Sequence, residues 1–204
     1  MAHYTGYRFP IPEARQLASW EGVVQDLTGV LEYCARLENL RSEPFDSVLW
    51  EAVCAAAVVR YARCFSTGSR EPLSRTLLSS APEHLRTTHE YVVAVRSKHI
   101  AHPVNEFEEN DVTVMLRDAP EGTEISGIGA HHSRVSGLAF GDPARLQELA
   151  EWVVKAVRQK IAEERPRLLE IAQQRGVEAV KAFGLPGVAN VALESAAHRV
   201  RRSP

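Results

Sequence analysis

The run Arg96-Ser97-Lys98-His99-Ile100-Ala101-His102-Pro103 gathers an arginine, a lysine and two histidines into a short stretch. An arginine offers phosphate a rigid fork of donors and stays charged at any accessible pH. A histidine changes protonation near neutrality and can take or return a proton. Together they can cut RNA without a metal or cofactor. The imidazole removes the proton of a 2′-hydroxyl, the freed oxygen attacks the adjacent phosphorus, and the guanidinium stabilises charge on the phosphate oxygens.

The spacing predicts a helix over residues 82–101. Ser80-Ala81-Pro82-Glu83 has the form of a capping box, and Pro103 disfavours helical geometry at His102. At about 100° per residue, Leu85, His89, Val92, Arg96 and His99 fall on one narrow stripe. Lys98 and Glu90 fall on the opposite side. Arg96 and His99 are therefore expected to face the core or an interface, close enough to touch. His102 can swing towards Arg96, or towards a second copy of the chain, once helicity ends. A cation on a core-facing stripe is costly unless paired or lining a site.

A second helix, about Phe45 to Phe65, repeats the anomaly: Arg60 and Arg63 continue an apolar face. Two readings stand. The arginines snorkel or pair with Asp46, Glu51 or Glu90, or they enlarge a cationic pocket around Arg96 for substrate. Lys98 joins them as a candidate for binding substrate. Ser97, His99 and Asn105 are candidates for supporting roles, Asn105 by proximity alone.

Several elements must position these groups. A long helix spans about Ala14 to Leu40, with Leu17, Trp20, Val24, Leu27, Leu31 and Cys34 at helical spacing. A short helix is expected at about Pro72 to Ser79. After Pro103 the pattern turns extended, and a β-hairpin is read over about 111–140. Asp142-Pro143 opens another helix, which Pro166 is expected to kink or split. A short helix around Val177 to Phe183 follows, then a basic tail over 184–204. The chain reads as one all-α domain over 1–183, a helical bundle with an inserted hairpin.

Composition limits the partners. The 204 residues are 45% hydrophobic and 25% charged, with a formal net charge of -2. No global basic field would draw the chain to nucleic acid, so contact with RNA must rest on a local patch. Cys34, Cys54 and Cys64 show no close pairing and read as buried, reduced thiols. The N-terminus lacks the pattern of a secretory signal, and no apolar run is long enough to span a bilayer. A cytoplasmic protein that does not enter membranes is expected.

Arg96-Ser97-Lys98-His99-Ile100-Ala101-His102 resembles the signature of HEPN-domain proteins: an arginine, a polar residue, then a histidine after a few intervening positions. It is most similar to families associated with abortive infection. The resemblance covers roughly residues 14–102, with the helix from Asp142 completing an antiparallel bundle. It implies a ribonuclease whose composite site forms at a homodimer interface. Arg96 would hold phosphate, His102 would serve as acid and base, and Ser97 would orient His102 or the substrate. It further implies a toxin–antitoxin or defence setting, with an antitoxin or other regulatory protein as a partner. In pairs controlled by a nucleotidyltransferase antitoxin, a tyrosine stands two places after the histidine, where this chain has Val104.

Two other readings differ in kind. His99, His102, His131 and His132 could converge on zinc, although an arginine on the same stripe is poor company for a cation. Alternatively, the bundle is a dimerisation or nucleotide-binding module that cleaves nothing. His84 is expected at the surface and His89 as a satisfied core residue.

Overall fold

The longest apolar seam in the molecule joins two helices far apart in sequence. In the computed structural model, which describes residues 5–67, 71–100, 108–134, 137–139 and 141–186 (backbone only at 99–100, 108–110 and 133–134), α1 is Arg15–Leu40 and α4 is Asp142–Arg175. Val23, Leu27, Val30, Cys34 and Leu37 of α1 share one core with Leu146, Leu149, Val153 and Val157 of α4. α2, Ser47–Ala62, packs on α1, and α3, Glu83–Ala94, packs on α4. Short 3₁₀ segments sit at Pro12–Ala14, Arg63–Phe65 and Arg75–Ser80. The short α5, Val177–Lys181, closes the described bundle.

Local chemistry sets the boundaries. Asp46 caps α2 by accepting from the Leu49 amide at 2.9 Å. Gly176, at φ +82°, ends α4. Gly184, just past the expected domain boundary, accepts from the Arg8 amide at 2.9 Å, and Phe183 meets Phe9 edge to face. The end of the bundle thus ties back to its beginning.

Of the two outcomes expected at Pro166, splitting does not occur. The helix runs through it as one element. Ile161 and Leu168 keep the buried stripe on either side, and Arg165 pairs with Glu21 of α1 at 2.7 Å. This packing outweighs the lost hydrogen bond and the ring's clash with the preceding turn, which together cost about 3 kcal/mol in a helix interior.

The predicted hairpin is present, shifted a little towards the N-terminus. β1, Glu108–Ala119, pairs antiparallel with β2, Gly122–Arg134. A register shift at Met115/Leu116 leaves one extra residue on β2. The strands pair with each other and barely touch the helices. Beyond β2 the chain returns to the bundle. Gly137, at φ +132°, lies so close to Cys54 that a Cβ there would be 3.0 Å from the Cys54 Cβ. Trp50 donates to the Leu138 carbonyl at 3.2 Å, and Asp142 accepts from the Ala139 amide and from the Tyr91 hydroxyl, each at 2.9 Å. Burial, assisted by this hydrogen bond, pushes the Tyr91 phenol up to about 12.

All three cysteines are buried, and burial pushes Cys34 up to about 12 and Cys54 up to about 11. No described helix is long and apolar enough to cross a membrane.

His89 is the buried, satisfied histidine expected. Its Nδ1 lies 2.9 Å from the Tyr61 hydroxyl, and Phe65 packs edge-on against its ring. Burial, with help from the Arg75 charge and against Glu90, lowers its pKa. The imidazole is therefore neutral in the fold, and Tyr61, whose own pKa is raised by burial, donates to it. An unfolded chain takes up this proton near its ordinary value of about 6.5, so His89 stabilises the fold above that pH and the contribution drains away below it. Urea unfolding midpoints should fall from pH 7 to pH 5, and fall less in His89→Gln. Tyr61→Phe should cost about 1–2 kcal/mol at pH 7, by leaving Nδ1 unsatisfied. An unchanged midpoint in Tyr61→Phe would show that this hydrogen bond is not a structural tie.

Candidate functional site

α3 changes pitch where the signature begins. From Val95 to Ile100 the helix adopts the wider π turn. Such turns are rare and concentrate at functional sites. Ser97 donates its hydroxyl to the Val93 carbonyl at 2.8 Å, an interaction that bends helices and suits a disrupted ladder.

The structure corrects the predicted orientation of Arg96. Leu85, Thr88, His89, Val92 and Val95 form the buried stripe, and Arg96 is exposed. An ideal α-helix would return Arg96 to that stripe, yet the residue is exposed where α3 gives way to the π turn. The guanidinium faces solvent, and no carboxylate among the described residues is in ion-pair range of it. Lys98 is exposed, as expected, and Ser97 is half-buried. The backbone of His99 lies in the π turn. The positions of the His99 side chain, His102 and Asn105 lie outside the described residues.

Arg60 and Arg63 are both held, by a partner the sequence reading did not weigh. Asp26 of α1 is buried, its side chain 8% exposed. One of its oxygens lies 3.3 Å from Arg60 Nε and the other 3.2 Å from Arg63 Nε. Neither Asp46, Glu51 nor Glu90 is the recorded ion-pair partner. Burial alone would lower the Arg60 pKa, but Asp26 and Tyr33 more than offset it and hold the guanidinium above its ordinary value. Its Cζ lies 5.8 Å from the centre of the Tyr33 ring.

Gly29 makes this geometry possible. A Cβ at Gly29 would fall 2.6 Å from the Arg60 Cζ, so the guanidinium lies flat on α1 only because no side chain is there. The two arginines form one end of an open groove of about 520 Å³, lined by Tyr33, Ala55, Ala56 and Val59 as well. Two guanidinium charges against one carboxylate leave a net positive end that can receive an anion. No residue of α3 lines the groove, so Arg60 and Arg63 form a cationic place separate from Arg96 among the described residues. Asp26, Gly29 and Tyr33 were missed in the sequence. The legible signal was an acid at position 26 between Val23, Leu27 and Val30, on the buried stripe of α1.

The other histidines are apart. His84 Nε2 lies 3.0 Å from Glu148 of α4 at the surface, as its predicted exposure allows. His131 and His132 lie exposed on β2, paired in register with Asp111 and Asn110. No group of side chains able to hold a metal occurs among the described residues. Compared with family models, curated proteins and solved structures, the chain finds no match.

Gly29→Ala tests the cationic clasp. In an ordinary helix interior this change stabilises by about 1 kcal/mol. Here it should give no gain or a loss, because Arg60 must leave Asp26. In an Arg60→Ala background the same change should recover the full gain. A double-mutant cycle by urea denaturation should give a coupling of about 1 kcal/mol or more. Equal effects in both backgrounds would mean that the clasp adds nothing to stability.

Proposed function

We propose that this chain is a metal-independent endoribonuclease of HEPN type, acting as a homodimer in a defence or toxin–antitoxin setting. The observation that supports this reading best is the placement of Arg96. It stands exposed on a π turn that closes the third helix of a helical bundle, with no described carboxylate to neutralise it.

An exposed guanidinium can grip a phosphate directly, at less desolvation cost than a buried one. His102, six positions on, would take the 2′-hydroxyl proton and later return one to the leaving oxygen. Ser97 retains lone pairs while donating to Val93, so it can accept from His102 or from substrate. Lys98 on the same turn would hold a flanking phosphate. A second copy would bring its own Arg96 and His102 to the same cleft.

A second reading is favoured by α2. This helix is apolar on its outward side as well, with Val48 and Val59 exposed. A helix apolar all round belongs inside something larger. A dimerisation or nucleotide-binding module without cleavage accounts for that surface equally well.

Incubation of purified protein with RNA in EDTA separates these readings. Cleavage should survive chelation, fall by about 10²–10⁴-fold in His102→Ala, and fall comparably in Arg96→Ala. Loss of cleavage on chelation would favour the zinc reading. Intact RNA with a stable dimer would leave the module.

A further inference from the structure

The hairpin has one apolar face and one polar face, and its exposure is unexplained by the single chain. In the observed register, Val112 opposes Ala130, Val114 opposes Ile128, and Leu116 opposes Ile125. Side chains of opposed residues share a face, and residues two apart along a strand join them. These six therefore make one continuous apolar ladder. The reverse face carries Asp111, Thr113, Met115 and Arg117 against His131, Gly129, Gly127 and Glu124. Arg117 and Glu124 pair there. The apolar ladder is bare: Val112 is 76% exposed, Ile125 74% and Ile128 75%. Asp118 and Glu121 stand at the tip, both exposed.

The outer side of α2 is its complement in shape, polarity and charge. Val48, Leu49, Ala52, Ala56 and Val59 run along it at helical spacing. The stretch from Val48 to Val59 is about 17 Å long at the helical rise. The ladder from Val112 to Leu116 spans about 13 Å at the strand rise. The small residues in the middle of α2 leave room for the branched side chains of the ladder. The apolar stripe of α2 ends at Arg60 and Arg63, and the apolar ladder of the hairpin ends at Asp118 and Glu121.

We propose that the hairpin of one copy lies along the outer face of α2 of a second copy, its tip reaching the groove beside Arg60 and Arg63, and that this exchange is reciprocal. The tip acids then meet the net positive end of the partner's groove, which sets the direction. Leu116 and Ile125 come near Val59, and Val112 comes near Leu49 and Ala52. Two such contacts related by a two-fold axis form a closed, isologous dimer. The inference deepens the homodimer within the reading above and does not depend on cleavage at Arg96.

The test reads mass and cross-links, so its outcome is separate from that of RNA cleavage. Sedimentation of the full chain should show a dimer, and Ile128→Asp should raise its dissociation constant at least tenfold. Ile128 is exposed, so this change leaves the helical core intact. For direction, Val59→Cys chains are mixed with Leu116→Cys chains and mildly oxidised, the native cysteines being buried. A disulfide between the two variants is expected, with little between Val48→Cys and Leu116→Cys. A monomeric wild type, a dimer indifferent to Ile128→Asp, or a Leu116→Cys chain that couples preferentially to itself would each overturn the proposal.

Discussion

The seam between α1 and α4 is the constraint on which the rest of the structure depends. Each helix contributes a stripe whose central members, Val23, Leu27 and Val30 on one side and Leu146, Leu149, Val153 and Val157 on the other, are fully withdrawn from water. Burying a side chain of this kind stabilises by about 1.5–3 kcal/mol before the entropy of ordering is subtracted. α2 and α3 pack onto a frame made by helices separated by more than a hundred residues of sequence. That frame also lets the chain leave the bundle after α3, form a hairpin, and return at Gly137. The return is fastened by Trp50, Cys54 and Asp142, so the hairpin can project without loosening the helices.

Buried polar side chains are few among the described residues, and Asp26 and His89 are tied across elements. Asp26 on the core stripe of α1 would be expensive if left alone, since an uncompensated buried charge costs several kcal/mol. Two arginines from α2 and its following turn answer it. Arg63 is 60% exposed and its attraction is screened, so it contributes little on its own. Arg60, 33% exposed and pressed against Gly29 and Tyr33, carries more of the pairing. The same arrangement fixes the spare positive charge at one end of the groove. A structural need, satisfying a buried acid, thereby produces a surface feature with binding potential.

Much of the fold was legible from periodicity and turn chemistry. The long helices, the hairpin and the helix start at Asp142-Pro143 all follow from local signals that the packing reinforces. What failed were matters decided by tertiary contact or by departures from ideal helices. Nothing local says whether a proline such as Pro166 breaks a helix that a second helix supports along its length. Nothing in a helical wheel announces a π turn, and a wheel drawn with uniform steps places Arg96 on the buried stripe, whereas the residue is exposed at the end of α3. The partner of Arg60 and Arg63 lies on a different helix, so the search among neighbours in sequence missed Asp26. An acid on an apolar stripe was nonetheless a visible sign that some cation must come to it.

The hairpin raises a question of design that its edges help to answer. A lone two-stranded ribbon is marginally stable in water, and its unpaired backbone edges invite strands of other chains. Here the edges are poor templates. Gly127, Gly129 and the extra residue on β2 roughen one, and Arg117 and Asp118 place charges along the other. Edge-to-edge growth is disfavoured, yet the face remains apolar. A ribbon built only to avoid association would not carry valine, isoleucine and leucine on one side in an unbroken ladder. The pattern fits a face meant to be covered, and cover gives the strands the third layer that an isolated hairpin lacks. The exposed flank of α2 poses the complementary problem, a helix with too little polar surface for the water it meets. Each surface is an unfavourable feature of the single chain, and each has the chemistry to relieve the other.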